Sequence, residues 1–371
     1  MTRDPPGLHA PPDALQVDRA RAELRVGRPV RVRAPSGTRI VAAIDTLQPG
    51  LLAALASLPG ADLRFATTRE RGAALGIPVD GAFALRLSPA VTLDELRAAA
   101  GADHDAGSAG ETFAVRAATT VAASDVERAA IDLAKLALLL PVVVSARDDA
   151  AGHAHLLSVD ADAIGAFDDA DAPALERLTE ASVPLADAPD CRMVVFRDRR
   201  DGSEHVAVLV GRVDPARVVD LRVHSACMTG DLLGSLRCDC GDQLRGAVRR
   251  FAALGGGVLL YVAQEGRGIG LANKLRAYRL QEGGLDTIDA DRHLGFAGDE
   301  RRYGLAAALL REFGIARVRL HTNNPRKAGA LSALGIEVVD FRTLAGAENP
   351  HNERYIRVRR ERAGHVAPDA T

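Results

Sequence analysis

Cys227, Cys238 and Cys240 fall within fourteen residues as a C-x10-C-x-C pattern in SACMTGDLLGSLRCDCGDQ. Clustered thiolates are strong ligands for Zn²⁺, and the surrounding Asp, Gly and Arg residues suit a tight metal-binding loop. Three protein ligands is the count of a catalytic zinc, which keeps a fourth position for water and lowers its pKa to about 7. If His224 supplied a fourth ligand, the site would be closed and structural. Three ordinary buried cysteines is the plainest alternative. Cys191, alone in a strand-like stretch, reads as core. Four cysteines in 371 residues are too few for a disulfide framework, so metal binding or catalysis in a reducing compartment is the better reading.

The elements that must position these residues follow from length and periodicity. A chain of 371 residues suggests two domains of about 150 residues each. Residues 1–14 and 364–371 are rich in Pro, Ala and Asp without periodicity and read as disordered tails. An Ala-rich domain spans 15–184, with a helix over 126–140 and a short strand over 62–67. The stretch 175–190 loses periodicity, contains Pro184 and Pro189, and reads as a linker with the boundary near Leu185. The second domain spans 185–363. It enters through a hairpin around Asp201 and Gly202, then alternates helix and strand. Helices are expected over 244–251, 271–281, 303–313 and 327–334, and strands over 258–262, 318–321 and 336–341. The predicted fold class is α/β (α+β) in two domains, the second a layered α/β domain with a β-rich entry.

Charge and hydropathy exclude several partners. A formal net charge of −2 gives no overall basic field for nucleic acid or an anionic membrane. A polyanionic substrate must therefore be met by a local cluster of cations. No apolar run is long enough to span a membrane, and the first residues, MTRDPPGLHAPPDA, lack the apolar centre of a signal peptide. The expected compartment is the cytoplasm.

The motifs RVHSACMTGD, SLRCDCGDQL, QEGRGIGL, NKLRAY, HLGFAGDER and TNNPRK occur in this order between about Val206 and His365. Together they resemble GTP cyclohydrolase II, the hydrolase that commits GTP to riboflavin biosynthesis. The resemblance implies one Zn²⁺ per subunit on Cys227, Cys238 and Cys240, whose water attacks C8 of guanine and releases formate. It further implies loss of pyrophosphate with the help of Mg²⁺, the product 2,5-diamino-6-ribosylamino-4(3H)-pyrimidinone 5′-phosphate, and a homodimer. The GTP contacts it implies are Arg222, Val223, His224, Ser225, Ala226, Gln243, Glu265, Gly266, Arg267, Thr287, Thr322 and Lys327. Arg222, Arg267 and Lys327 suit phosphate oxygens, the glycines of EGRGIG let backbone N–H groups approach them, and Glu265 or Gln243 suits the guanine edge. Taken alone, EGRGIG is also an ordinary strand-to-helix turn, and Arg326 with Lys327 a solvated helix start.

The catalytic residues implied are Asp299 as proton acceptor, Arg301 toward the α-phosphorus, and Tyr278 near the reacting centre. Freeing the lone pair of an arginine at neutral pH costs about 8 kcal/mol, so stabilisation of transition-state charge by Arg301 weighs at least as much as covalent attack. Asp299 also suits an N-cap, and Tyr278 a packed helix position. Ala226 stands where many members carry Glu, which predicts reduced or shifted activity.

Residues 15–150 faintly resemble 3,4-dihydroxy-2-butanone 4-phosphate synthase, through ELRVGRPVRVR, DLRFATTRERGAALGIP and ERAAIDLAKLALLLPVVV. That family carries an acidic, Mg²⁺-holding run where this chain reads APSGTRIVAA, and a Gly-His-Thr near Ala123–Asp125 that is missing. A degenerate, non-catalytic domain is expected, kept for packing, dimerisation or regulation. An active synthase, giving a bifunctional enzyme, is one alternative. A zinc-stabilised nucleotide-binding regulatory module without turnover is the other.

Overall fold

The computed structural model describes residues 12–102, 119–148, 153–169, 174–344 and 346–367. The chain forms two compact units, and they are not consecutive in sequence. The first comprises 1–169 together with 272–300, the second 170–271 together with 301–371. The division falls near residue 170 rather than 185, because the expected linker is partly a strand. Residues Leu175–Ser182 (β8) hydrogen-bond antiparallel to Cys191–Asp198 (β9). β8 is an edge strand with mostly exposed side chains, so it shows no apolar alternation to read.

In the first unit seven strands run in the order β5-β4-β3-β6-β2-β1-β7. They are β1 Val30–Ala34, β2 Gly37–Ala43, β3 Arg64–Thr67, β4 Phe83–Arg86, β5 Thr120–Ala122, β6 Val142–Arg147 and β7 Ser158–Asp160. The helix Asp125–Leu136 starts at a reciprocal capping box between Ser124 and Glu127. Its Ala129, Ala130, Ile131, Leu133 and Ala134 join Val17, Leu24, Ile164 and Phe167 in one core over the sheet. Ala and Val dominate there, which lets helices approach the strands closely. The expected tail 1–14 is already helical from residue 12, in the helix Pro12–Arg25, while 1–11 lie outside the described residues.

The second unit's sheet runs β14-β13-β11-β12-β10-β9-β8. Its remaining strands are β10 Glu204–Gly211, β11 Val219–Ser225, β12 Gly256–Val262, β13 Arg317–His321 and β14 Glu337–Arg342. The β9–β10 hairpin turns at Gly202, whose φ is +72°, as the sequence predicts. β11 to β14 are parallel, whereas β8 to β10 pair antiparallel up to β12. Alternation along the strands feeds two cores. Val258, Leu260 and Val262 pack with Leu305, Leu309 and Leu310 of the helix Gly304–Glu312. Leu259, Val208 and Val210 pack with Ala247, Val248 and Phe251 of the helix Cys240–Ala253. Helices thus cover both faces, the layered α/β arrangement expected. Within the stretch 185–363, where the sequence is read helix by helix, two described helices carry no clear signal: the short Thr287–His293, which belongs to the first unit, and the highly charged Glu353–Glu361. Among the described residues no helix is long and apolar enough to cross a membrane.

Candidate metal and nucleotide site

The outgoing connections of β11 and β13 run in opposite directions, β11 toward β12 and β13 toward β14, which makes their carboxyl ends a topological switch point. That is where open α/β sheets place ligands. β11 alternates Leu221 and Val223 into a core with Arg222 and His224 on its other side. Cys227 follows directly, after Ala226 N–H closes on the Val262 carbonyl at 2.8 Å. A single π-helical turn, Met228–Leu232, brings the chain back toward Cys238, and Cys240 opens the next helix.

The three sulfur atoms lie within 4.8 Å of one another, with Cys227 and Cys238 Sγ 3.8 Å apart. Tetrahedral zinc with Zn–S bonds of about 2.3 Å sets its sulfurs about 3.8 Å apart, so the thiols fit that ion. Hydrogen bonding to Cys227, together with burial, pushes the Cys238 thiol up to about 11. Cys240 is raised as well, by both neighbouring sulfurs and then by burial. A divalent cation is what reverses that penalty and favours three adjacent thiolates. Glycine is required twice around the cysteines. A Cβ on Gly230 would sit 2.7 Å from Cys238 Sγ, and one on Gly241 would sit 2.3 Å from the Gly230 carbonyl oxygen.

Asp231 organises the loop. Its carboxylate accepts from Cys227 N–H at 2.9 Å and Tyr261 O–H at 3.1 Å, and lies 3.0 Å from His224 Nε2. The His224 ring stacks on Tyr261 with centroids 5.7 Å apart. His224 is therefore engaged by Asp231, and among the described residues the metal-competent cluster consists of the three cysteines. Glu265 braces the loop from the other side, its carboxylate accepting Met228 N–H at 2.6 Å and Gly266 N–H at 3.1 Å. Gly266, Arg267 and Gly268 are all left-handed, at φ +62°, +63° and +94°. For Arg267 that conformation costs roughly 1–2 kcal/mol, a strain of the kind that gathers at ligand sites.

Cations gather in the same unit. Buried Arg222 donates to the His321 carbonyl at 3.1 Å and to Gln243 Oε1 at 2.5 Å. Gln243 passes the chain of hydrogen bonds to Asp239, which also accepts from Arg359 at 3.2 Å. Burial lowers Arg222 to about 10, which leaves it protonated at neutral pH. Lys327 Nζ donates to the Val223 carbonyl at 3.0 Å, and the Thr322 hydroxyl accepts Asn324 N–H at 3.0 Å. The half-buried His365 is lowered to about 3, first by burial and then by Arg359, Arg301, Lys327 and Arg267. Four separate segments thus direct positive charge at one place.

The second unit holds the cysteines, Arg222 to Ala226, Gln243, Glu265 to Arg267, Arg301, Thr322 and Lys327, whereas Tyr278, Thr287 and Asp299 belong to the first. Asp299 does not cap the following helix, whose N-cap is Tyr303. Tyr278 is half-buried on the helix Leu271–Glu282, with Lys274 Nζ 5.8 Å from its ring centre. Arg359, Asp239, Asp231 and His365 were missed by sequence reasoning. Six of nine residues in Glu353–Glu361 are charged, which hides the apolar pair Ile356 and Val358 that anchors it. The expected tail 364–371 is corrected as far as it is described. His365 N–H bonds to Arg359 O at 3.0 Å and Val366 N–H to Asn323 O at 2.9 Å, while 368–371 lie outside the described residues.

Residues 176–343 match the family model for GTP cyclohydrolase II. A GTP cyclohydrolase-2 of Azospirillum brasilense is 42% identical over 387 residues, covering 99% of this chain and 100% of the relative. One from Azotobacter vinelandii is 51% identical over 171 residues, 46% of this chain and 82% of the relative. Among solved structures, a two-domain 3,4-dihydroxy-2-butanone 4-phosphate synthase from A. baumannii aligns with 89% of this chain and 99% of its own at 16% identity. Its TM-score is 0.33, too low to establish a shared fold. A full-length relative at this identity, a matching family model and the three-thiol cluster agree: the chain is an enzyme of the GTP cyclohydrolase II family.

Proposed function

We propose that this enzyme hydrolyses GTP to 2,5-diamino-6-ribosylamino-4(3H)-pyrimidinone 5′-phosphate, formate and pyrophosphate, as the committed step of riboflavin biosynthesis. The observation that carries the reading is the joint presence, at the carboxyl ends of β11 to β13, of a three-thiol cluster with zinc geometry and the cations Arg222, Arg267, Arg301, Lys327 and Arg359. Zinc bound by Cys227, Cys238 and Cys240 would supply Lewis acidity and activation of water near neutral pH.

The chain's own residues do the rest. Arg222, Arg267, Arg301 and Lys327 hold the triphosphate, with Mg²⁺ sharing its charge. Arg301 stabilises charge developing at the α-phosphorus, since its guanidinium stays protonated. Asp299 takes a proton, and Tyr278 orients the reacting group. Val223 to Ala226, Gly266, Thr287 and Thr322 line the nucleotide. Glu265 and Gln243 are engaged within the protein, so reading of the guanine edge requires them to exchange partners on binding.

The first unit supports no synthase step in this reading. Its half-buried Asp62 and fully buried Glu127 are paired with Arg39 and Arg64, as a structural network. The enzyme works in the cytoplasm as a homodimer. Zinc-loaded protein incubated with GTP and Mg²⁺ should release formate and pyrophosphate, with products identified by mass. GTP recovered intact, from protein of full zinc content, would instead favour a regulatory module. Formation of a four-carbon phosphate from ribulose 5-phosphate by the full chain would overturn the reading of the first unit.

A further inference from the structure

The chain beyond residue 343 follows the stretch that matches the cyclohydrolase family model, and within the second unit it folds back onto the cysteine loop. Both ends of this segment close on one residue. Asn323 donates to the Leu344 carbonyl at 2.8 Å and accepts Leu344 N–H at 2.7 Å, and its own carbonyl accepts Val366 N–H at 2.9 Å. Between these points the fully buried Asn352 fixes a turn, donating to the Ala347 carbonyl at 2.8 Å and accepting Asn349 N–H at 2.8 Å. The helix Glu353–Glu361 follows with Ile356 and Val358 buried, and His365 N–H bonds back to the Arg359 carbonyl at 3.0 Å. The result is a strap, tied at both ends and stiffened in the middle.

The strap grips Asp239, the residue between Cys238 and Cys240. Asp239 is 6% exposed and occupies the N-cap of the helix Cys240–Ala253. A carboxylate there ordinarily accepts N–H groups of the first helical turn. Asp239 makes no such bond, and its carboxylate accepts instead from Arg359 at 3.2 Å and from Gln243 Nε2. Arg359 also lies over the Tyr355 ring, 5.0 Å from its centre, which fixes the direction of the guanidinium. Two further contacts seat the strap on the same helix start. Ala347 N–H donates to Asp242 at 3.1 Å, and a Cβ on Gly346 would stand 2.6 Å from Asp239 Cβ and 3.3 Å from its Oδ2.

Electrostatics explains why the grip falls there. Three thiolates outweigh the charge of one divalent cation, and the Asp239 carboxylate adds to that excess in a buried place. A buried charge that loses its partner is strongly unfavourable, so a cation from elsewhere in the chain has to stand against it. We infer that the C-terminal strap holds the metal loop in its ligating form, with Arg359 as a positioning residue that acts on Cys238 and Cys240 through Asp239. This rests on the reading of the three cysteines as zinc ligands. Arg359 touches none of the sulfurs. Its effect passes through the backbone of one residue shared by two ligands.

The test measures zinc affinity of the full chain by competition with a chromophoric chelator. Arg359→Gln should weaken zinc binding about 10- to 100-fold, the scale of losing a contact that orients metal ligands. Arg359→Gln combined with Asp239→Asn should return to within about threefold of the parent protein, because no carboxylate is left unpaired and the Asn oxygen still accepts from Gln243. A lesion of packing alone would weaken both variants equally, and that result overturns the inference. Gly346→Val displaces Asp239 with every charge retained and should weaken zinc binding by about 10-fold, which keeps the question decidable if Arg359→Gln does not fold. Affinity within about twofold of the parent in Arg359→Gln or in Gly346→Val means that the strap does not hold the loop, while the zinc reading stands. A parent protein that binds no zinc sinks the zinc reading and the inference with it.

Discussion

Both units bury arginine, and they use it for opposite purposes. In the first, Arg39 and Arg64 meet Asp62 and Glu127, and Arg71 meets backbone carbonyls. In the second, Arg359 shares Asp239 through a chain that leads by Gln243 to Arg222, while Arg267, Arg301 and Lys327 add further charge around His365. Balanced charge is architecture. A gathering of cations from separate segments is the arrangement that suits a polyanion, since it raises the local concentration of ligands of opposite charge. The chain's formal charge of −2 conceals this difference completely.

The comparison is broken most severely at the cysteines. Cys238→Ser should remove zinc and lower formate release by on the order of 10⁴-fold, the scale of losing a catalytic centre, while circular dichroism shows both sheets intact. Persistent turnover at low zinc content would mean that the cluster is structural. Next in size, Gly230→Ala forces a methyl against Cys238 Sγ at 2.7 Å. It should weaken zinc binding by about 10- to 100-fold, as disturbed supporting contacts do, when measured by competition with a chelator. Unchanged affinity would show that the π-turn is not part of the site.

Arg267→Ala tests whether the gathered cations bind substrate. Losing one charge-assisted contact, worth about 1.5–3 kcal/mol, should raise KM for GTP by roughly 10- to 100-fold. An equal loss for free guanosine and for GTP would argue against a phosphate role.

The smallest effect concerns acid stability, and it tells the units apart. His293 in the first is lowered to about 4, by burial and then Arg71, and His365 in the second to about 3. Both folded-state values lie below the ordinary 6.5, so the unfolded chain takes up protons first as the pH falls. Their contribution to stability is complete above 6.5 and is lost toward about 4 and about 3 respectively. In urea titrations from pH 7 to 3, His293→Gln should flatten the acid limb between 6.5 and about 4, and His365→Gln between 6.5 and about 3. An unaltered limb in both variants would mean that other groups govern acid unfolding.

Local chemistry was legible from the residues themselves. The C-x10-C-x-C spacing announced a metal loop because soft ligands this close in sequence need little help from the fold to converge. Period-two and helical patterns placed β10, β12, β13 and the helix Gly304–Glu312, since their apolar faces meet a core. Asp201 and Gly202 marked the hairpin because only a few residue types accept its turn. Partnerships between distant segments were not legible. β8 reads as a linker in the sequence because an edge strand is held by backbone hydrogen bonds and shows no apolar alternation. Arg359 and His365 lay in a charged stretch whose two apolar anchors are too few for a periodic signal. The commitment of 272–300 to the first unit was decided by tertiary structure alone, for Arg71 with His293 and Lys135 with Glu300 are contacts between carbonyls and charges that no local pattern encodes.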